Sequence, residues 1–475
     1  MTNSSELVFI PSPGAGHLPP TVEFAKVLLH REPQLSVTII IMNLSREEKL
    51  SIETQKSTPR LRFIDIPEDK STKDLISPHT FMSAFIEQQK PHVRNIVRSI
   101  TESDSVRLVG FVVDMFCIDM MDIANELGTP TYLYFTSAAA SLGLMFCLQA
   151  KRDNEGFDVT ELKDTDPDLS LPSHAIPVPV KVLPSLLFDK GSGWPKTFLD
   201  LAKKYREPKG IIVNTFQELE SHAIEYLASS NVTVPPVFPV GAILNREKKV
   251  NDDKFEEIMT WLNDQPDSSV VFLCFGSMGS FVENQVKEIA VAIEGSGQRF
   301  LWSLRRPPSK EKMEYPEEYE HFEEVLPEGF LDRTLSIGKV IGWAPQMAVL
   351  SHSSVGGFVS HCGWNSTLES IWCGVPVAAW PLYAEQQLNA FKLVVESGLA
   401  VEIKIDYRSN TMPGGGDEII VTSKEIESGI RRLMNDEELR KKVKEMKGKS
   451  RFAVLEGGSS YVSIRRFIDL VLIKE

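Results

Sequence analysis

The sequence predicts an α/β protein made of two Rossmann-like domains that face each other across a cleft. Apolar strand-like runs alternate with helix-like stretches through most of the 475 residues. These runs are continuous stretches of Val, Ile and Phe, which is typical of strands buried on both faces of a parallel sheet. The same order of elements starts again near residue 255, and a chain of this length suits two domains of about 200 residues each.

The first series opens with the strand-like run ELVFIPS, a glycine turn and the helix-like run TVEFAKVLLHRE. Four more strand-like runs follow, SVTIIIMN, LRFIDIP, LVGFVVDMF and PTYLYFTS. The second series contains the runs SSVVFLCF, RFLWSLR, GKVIGWAP, VGGFVSHC and GVPVAAWP, with the helix ENQVKEIAVAIEGSG after the first of them. We expect that helix to end at Gly295 and Gly297, because glycine commonly terminates helices.

A Pro-rich and then charged segment separates the two series, as expected of a linker. We therefore predict an N-terminal domain over residues 1–240, a linker over 241–254 and a C-terminal domain over 255–455. The last helix-like segment, residues 456–475, is expected to pack back on the N-terminal domain. Ligands of such folds bind at the carboxyl ends of the strands, so polar residues that follow strands are the first site candidates.

Composition narrows the class of partners. The net charge of −14 produces a surface that repels phosphate backbones, so we expect no nucleic-acid partner. Five widely spaced cysteines without a CxxC pair suggest free thiols in a reducing compartment. The sequence shows neither a signal-peptide pattern nor an apolar run long enough to span a membrane. These features favour a cytoplasmic protein, and we expect it to be a monomer.

The turn in FIPSPGAGHLPP resembles a dinucleotide-binding turn but departs from it. Gly14 and Gly16 are present, Pro19 stands at the third glycine position, and strand two ends at Asn43 without a carboxylate for a ribose. His17 follows the turn and is expected to project into the cleft, where imidazole is well suited to accept a proton near neutral pH.

Asp114 ends the strand-like run LVGFVVD, and a buried acid in such a place needs a partner. A carboxylate beside His17 would fix the imidazole tautomer and stabilise its protonated form. The alternative is that His17 caps a helix and Asp114 accepts hydrogen bonds from backbone N–H groups. The residues alone favour neither interpretation.

A second group of polar residues follows strands of the second series. His361, Asn365 and Ser366 surround a predicted helix N-terminus, where backbone N–H groups and the helix dipole attract anions. Glu369 is expected on the first turn of the same helix, where its carboxylate could accept hydrogen bonds from ribose hydroxyls. These residues would suit a nucleotide, although taken singly they are equally consistent with a capped helix.

Two further pairs extend this group. Trp343 with Gln346 offers a ring that stacks on a base and an amide that contacts its edge, and Glu385 with Gln386 offers acceptors for sugar hydroxyls. The alternative is that Trp343 and Trp364 are core aromatic residues. The combination within one short span favours a nucleoside-diphosphate-sugar.

Residues 343–386 resemble the signature box of plant family 1 UDP-glycosyltransferases nearly residue by residue. The runs PSPGAGH, FGSMG and EGGSS extend the likeness over the whole chain, which is most similar to the group acting on flavonoids and related phenolics. The resemblance implies the GT-B type of fold, UDP-glucose as co-substrate, and neither a cofactor nor a metal ion. It also assigns His17 as the catalytic base and Asp114 as its orienting acid, in an inverting single displacement.

The resemblance further implies which residues bind the donor. Trp343 would stack on uracil and Glu369 would hold the ribose. Trp364, Glu385 and Gln386 would contact the sugar, and Gln386 goes with glucose. The diphosphate would be bound by Ser277, His361, Asn365 and Ser366. The full donor-binding set is Ser277, Trp343, Ala344, Gln346, His361, Gly363, Trp364, Asn365, Ser366, Glu369, Glu385 and Gln386.

The acceptor is expected to be a small lipophilic metabolite with a hydroxyl group, such as a flavonoid, a simple phenolic or a terpenoid. Candidate lining residues are Met115, Phe116, Thr136, Phe146, Phe188 and Trp194. Another UDP-sugar, an amine or thiol acceptor, and a non-catalytic nucleotide-sugar binder stay open as alternatives. The run DTDPD imitates a metal-binding motif, but its polar, Pro-containing surroundings indicate a solvated loop.

Overall fold

Two parallel β-sheets organise the chain in the computed structural model, which describes residues 4–14, 16–42, 57–66, 81–102, 106–229, 233–246, 253–308, 315–407 and 419–473. The predicted fold class, two Rossmann-like α/β domains, is confirmed. Asn43 and residues 247–252 of the proposed linker lie outside the described residues. Residues 241–246 of that linker have no regular structure, and a helix begins within it at Asp253.

The N-terminal sheet has seven parallel strands in the order β3-β2-β1-β4-β5-β6-β7. The strands are β1 (Ser4–Ile10), β2 (Leu35–Ile41), β3 (Leu61–Asp65), β4 (Val106–Asp114), β5 (Thr131–Phe135), β6 (Gly210–Val213) and β7 (Val237–Pro239). The order reverses between β1 and β4, which is the point where ligands bind in open α/β sheets. His17 and Asp114 follow the carboxyl ends of these two strands.

Helices cover both faces of this sheet. Alternate residues of its strands are therefore buried in two separate hydrophobic clusters, one on each face. Val8 and Ile10 of β1 lie in one cluster, and Leu7 and Phe9 lie in the other. The helices are α1 (Leu18–Arg31), α2 (Phe81–Thr101), α3 (Met121–Glu126), α4 (Ala139–Glu155), α5 (Trp194–Lys204) and α6 (Gln217–Ala228).

The C-terminal sheet has six parallel strands in the order β12-β9-β8-β13-β14-β15. They are β8 (Val270–Cys274), β9 (Arg299–Ser303), β12 (Gly338–Ile341), β13 (Val355–Ser360), β14 (Val377–Ala379) and β15 (Ala400–Glu402), while β10 (Arg305–Arg306) and β11 (Glu317–Glu318) form a small antiparallel ribbon. Here the order reverses between β8 and β13. The loops that follow these two strands therefore flank the second expected ligand position.

The C-terminal domain contains α7 (Asp253–Asn263), α8 (Glu283–Ser296), α9 (Phe330–Thr334), α10 (Gln346–Leu350), α11 (Trp364–Cys373), α12 (Gln386–Phe391), α13 (Ser423–Asn435) and α14 (Glu437–Ala453). A π-helical turn, Lys392–Glu396, continues α12. Gly297 ends α8 in the left-handed conformation at φ 65°, whereas Gly295 lies inside the helix, so the expectation for Gly295 was wrong.

The last helix, α15 (Ser459–Leu472), returns to the N-terminal sheet. Its Phe467 ring is fully buried, with ring centroids 5.1 Å from Tyr132 and 5.6 Å from Phe238. A further apolar cluster joins the domains directly, since Leu388 and Phe391 of α12 pack among side chains from residues 144–199. These contacts fix the two sheets relative to each other across the cleft.

All five cysteines are unpaired, and four of them are buried. In the part of the chain that the structure describes, no helix combines the length and the apolar character needed to cross a membrane.

Candidate active site

A buried carboxylate and an imidazole meet at the switch point of the N-terminal sheet. His17 Nδ1 lies 3.0 Å from Asp114 Oδ2, and Asp114 is only 1% exposed. Gly14 has φ 124°, a backbone conformation that favours glycine, and it lets the chain turn from β1 into α1. The His17 side chain forms no cap on α1, which removes the helix-capping alternative for this residue.

Three other groups complete the shell of the Asp114 carboxylate. The Ser12 hydroxyl and the Phe116 N–H (3.2 Å) both donate to Oδ1, and the Thr136 hydroxyl lies 3.4 Å from Oδ2. The alternative that Asp114 accepts hydrogen bonds from backbone N–H groups is therefore correct for the Phe116 N–H. A buried carboxylate is stable only when it is fully hydrogen-bonded, and this shell supplies the hydrogen bonds that hold Asp114 in place.

This arrangement determines how the imidazole can act. Nδ1 faces the carboxylate and therefore carries the proton in the neutral ring, so Nε2 is the nitrogen that accepts a proton. The Thr136 hydroxyl also lies 3.0 Å from Nδ1, which places it beside both members of the pair. The geometry is that of a general base with its orienting acid.

Three of the proposed acceptor-lining residues gather around His17. The Phe116 ring meets the imidazole edge-on with centroids 5.4 Å apart, and the Thr136 hydroxyl lies 3.7 Å from the Met115 sulfur. Phe146 does not belong to this group. Its ring is 1% exposed and covered by the Arg206 guanidinium, so it is a core residue with almost no surface for a ligand.

Phe188 and Trp194 are half-buried in the segment that leads into α5, and they stay candidates for the acceptor site. The DTDPD run, residues 164–168, lies in turns and loop structure rather than after a strand. Among the described residues, no cluster of His, Cys, Asp or Glu side chains is arranged to hold a metal ion.

The donor half of the site contains a hydrogen-bonded cluster on α10 and α11. The Gln346 amide donates to the Ser366 hydroxyl at 2.8 Å and to Glu369 Oε2 at 2.6 Å. Burial raises the pKa of Glu369 to about 7, although the Gln346 amide partly offsets this rise. Glu369 lies in the second turn of α11, not in the first turn as the sequence suggested.

The two tryptophans of the signature box have different environments. Trp343 is 58% exposed, so its ring offers an open face and the core alternative is wrong for it. Trp364 is 3% exposed and its indole N–H donates to the Asn214 carbonyl at 2.8 Å. The core alternative is therefore correct for the Trp364 side chain, which leaves only its backbone for a sugar contact.

His361 is a neutral residue in this site. Burial and the nearby Arg305 charge lower the pKa of His361 to about 3, so the ring is unprotonated at physiological pH. The ring lies against two glycines, because a Cβ placed on Gly276 or Gly363 would come within 2.5 Å of His361 Nε2. Gly363 is also the N-cap residue of α11, directly before Trp364, and Ala344 is buried beside Trp343.

Hydrogen bonds across the cleft join the two halves. The Asn365 amide donates to the Gly16 carbonyl at 2.9 Å, and the Ser137 hydroxyl donates to Glu385 Oε1 at 2.9 Å. Gly16 adjoins His17 in the chain, so donor-side residues lie close to the imidazole. Gln386 is 4% exposed, and its Oε1 accepts hydrogen bonds from two backbone N–H groups, those of Leu382 and Tyr383.

Sequence reasoning missed Ser12 and Arg305 and placed Thr136 only in the acceptor lining. Ser12 stands in the same PSPGAGH run as His17, so its position after β1 was a usable signal. Arg305 begins β10, two residues after β9 ends at Ser303, and its guanidinium donates to the Ser277 carbonyl at 2.8 Å. A charged residue at a strand end resembles an ordinary surface residue, so nothing in the sequence marked it.

Comparison with known proteins agrees with this geometry. The profile of the family described as "UDP-glucoronosyl and UDP-glucosyl transferase" matches residues 214–447. UDP-glycosyltransferase 71E1 of Stevia rebaudiana is 69% identical over 469 residues, which cover 99% of both chains. A Fragaria ananassa protein named putative UDP-glucose flavonoid 3-O-glucosyltransferase 3 is 52% identical over 487 residues, covering 99% of this chain and 100% of the relative.

Solved structures show the same similarity. A transferase from Siraitia grosvenorii in complex with UDP superposes with a TM-score of 0.86 at 44% identity, covering 99% of this chain and 100% of the other. A Medicago truncatula protein complexed with UDP-glucose superposes with a TM-score of 0.83 at 40% identity, covering 98% of each chain.

We predict that Glu369→Gln changes how the stability of the ligand-free protein depends on pH. The folded-state pKa of Glu369 is raised, so its stabilising contribution is present below the unfolded value of 4.5 and is lost as pH rises through about 7. Glutamine does not ionise and keeps an oxygen for the Gln346 amide. Urea denaturation should show the variant gaining about 1–2 kcal/mol over wild type between about pH 5 and about pH 8.

The exposed Glu445→Gln on α14 is the matched control, and its pH dependence should follow that of the wild type. Equal pH dependence in Glu369→Gln and the wild type would contradict the raised pKa of Glu369.

Proposed function

Because the chain belongs to the UDP-glucoronosyl and UDP-glucosyl transferase family, we propose that its UDP-glycosyltransferase activity is the transfer of glucose from UDP-glucose to a hydroxyl group of a small lipophilic acceptor, with inversion at the anomeric carbon. The observation that carries the proposal is the 3.0 Å contact between His17 Nδ1 and Asp114 Oδ2 at the edge of the interdomain cleft. Donor-side residues reach the same point, since Asn365 contacts Gly16.

The dyad activates the nucleophile, which is the acceptor hydroxyl. His17 Nε2 takes the proton of the acceptor hydroxyl as its oxygen attacks the anomeric carbon of UDP-glucose. The bond between that carbon and the diphosphate oxygen breaks, and its electron pair leaves with UDP. The proton stays on His17, where the Asp114 carboxylate stabilises the imidazolium. One displacement from the face opposite UDP converts the α-linked sugar into a β-glucoside without a covalent enzyme intermediate.

The donor is held by residues of the C-terminal domain. The exposed face of Trp343 suits stacking on uracil, and the Gln346–Glu369 pair suits the ribose hydroxyls. Backbone N–H groups at the start of α11 favour the diphosphate, and they stabilise the charge that develops on the departing UDP. We propose that Glu385 and Gln386 contact the sugar, and the similar Medicago truncatula protein is complexed with UDP-glucose.

The acceptor is proposed to be a flat phenolic molecule such as a flavonoid. Phe116 and Met115 provide an apolar surface beside His17, and Thr136 provides a polar group there. One similar protein carries the name flavonoid 3-O-glucosyltransferase. The proposed reaction uses neither a metal ion nor a cofactor, because the imidazole base and the helix N-terminus meet its chemical needs.

Mass spectrometry of the purified protein with UDP-glucose and an acceptor panel tests this function. The panel contains flavonoids, simple phenolics and terpenoids, with amine and thiol analogues, and EDTA is present throughout. We expect a hexose mass gain on a phenolic class, and a smaller gain when UDP-galactose replaces UDP-glucose. Intact UDP-glucose with every acceptor, or a larger gain from UDP-galactose, would contradict the proposed donor and acceptor.

We predict that His17→Ala lowers kcat by about 10²- to 10⁴-fold, the range typical of a lost general base. UDP should still bind as in the wild type, because the donor contacts lie in the other domain. Strongly acidic phenols should retain more activity than alcohols, since they ionise without help. Chromatography of the products measures acceptor turnover, and calorimetry measures UDP binding.

His30 is an exposed residue in the last turn of α1, the helix that follows His17. The control variant is His30→Ala, which should be fully active. Turnover of ordinary alcohols at the wild-type rate by His17→Ala would remove His17 from the role of base.

A further inference from the structure

The proposed diphosphate site contains no positively charged side chain of its own. Its proposed ligands are Ser277, Asn365 and Ser366, which are neutral, and His361, whose pKa is lowered to about 3. A diphosphate carries at least two negative charges, and burying them without a counter-charge is costly. A cation near the site is therefore needed on physical grounds.

Arg305 is a buried cation behind the loop that follows β8. It is 8% exposed, and its guanidinium donates to the carbonyls of Gly276, Ser277 (2.8 Å) and Gly279 (3.2 Å). No ion pair to Arg305 is formed within the described ranges. Buried arginines are normally paired with an acid. The acid that acts on Arg305 is Glu318, its cross-strand neighbour in the β10–β11 ribbon, but Glu318 pairs with Lys254 at 2.7 Å and accepts the Trp343 N–H, so the charge of Arg305 is only partly balanced.

The three carbonyl contacts fix the direction of the loop's N–H groups. In a planar trans peptide the C=O and the following N–H point in opposite directions, so the N–H groups of residues 277, 278 and 280 point away from Arg305. None of these three N–H groups donates to an acceptor in the described part of the chain. Successive backbone N–H groups that point outward form an anion-binding nest.

This nest lies next to the other proposed phosphate ligands. A Cβ on Gly276 would come within 2.5 Å of His361 Nε2, so the loop packs against the imidazole ring. Gly276 has φ 75°, which explains why glycine is needed at this turn. The same Arg305 charge helps to lower the pKa of His361, which shows that its field reaches the ring.

We infer that Arg305 is a positioning residue and the fixed counter-charge of the diphosphate site: it holds the 276–279 loop so that the loop's N–H groups face the phosphates, and it balances their charge from behind. The inference rests on the proposed function, because it assumes that UDP occupies this site. UDP leaves with one more negative charge than the diphosphate has in UDP-glucose. Arg305 should therefore stabilise the departing UDP more than the bound substrate, which raises kcat as well as affinity.

Binding of uridine and of UDP to three variants, measured by calorimetry, tests this inference. We expect Arg305→Gln to bind UDP about 30-fold more weakly, as for a lost charge-assisted contact, while its affinity for uridine stays close to that of the wild type. Its kcat with UDP-glucose should fall as well. Arg305→Lys keeps the charge but cannot reach all three carbonyls, so its loss of UDP affinity should be about fivefold.

Arg306→Gln is the matched control. Arg306 is the next residue, but it pairs with Glu324 at 2.7 Å and lies over the Tyr319 ring, so its removal should change neither affinity. A purely structural role for Arg305 would weaken uridine and UDP equally, and that result would overturn the inference.

Unchanged UDP affinity in folded Arg305→Gln would also overturn it. If circular dichroism shows that Arg305→Gln is unfolded, the same binding measurements on Arg305→Lys test the inference instead. A ratio of UDP to uridine affinity equal to that of the wild type in Arg305→Lys would overturn it. A wild-type protein that binds UDP no more tightly than uridine would instead refute the proposed donor site, and the inference would fall with it.

Discussion

The buried Asp114 carboxylate is the constraint on which the catalytic half of the molecule depends. A buried carboxylate at the end of β4 is stable only with a full set of hydrogen-bond partners, and Ser12, Phe116, Thr136 and His17 supply them. Satisfying the carboxylate also orients the imidazole and fixes its tautomer. The requirement for stability and the geometry proposed for catalysis are therefore met by the same hydrogen bonds.

The two sheets explain why the base and the donor meet. Each sheet places its ligand position at the reversal of its strand order, between β1 and β4 in one domain and between β8 and β13 in the other. The Trp364–Asn214 and Ser137–Glu385 hydrogen bonds, together with the apolar contact of α12, turn these two edges toward each other. On the donor side, Arg305 orients a loop as Asp114 orients the imidazole. Its contacts with the 276–279 loop shape the nest proposed for the phosphates.

Much of this arrangement is predictable from the sequence because it follows from local order. Continuous apolar runs predict the parallel sheets, and His17 and Asp114 are marked by their positions at strand ends. What the sequence does not reveal depends on tertiary contacts between distant residues. The Thr136 contact with His17 spans 119 residues. Phe146 is buried in a cluster whose members range from Val8 to Leu227, and the Trp364 indole bonds to Asn214 of the other domain. The role proposed for Arg305 could not be predicted from the sequence, because it depends on the burial of the side chain and not on the residue type.

The anomeric configuration of the product tests the central claim most directly, namely that a base in one domain activates an acceptor for in-line attack on a donor held by the other. After reaction with UDP-α-glucose, the coupling of the anomeric proton in the NMR spectrum distinguishes the two configurations. Direct displacement across the cleft predicts a β-glucoside. An α-glucoside would mean attack from the leaving-group side or a covalent intermediate, and it would contradict the single displacement assigned to His17 and Asp114.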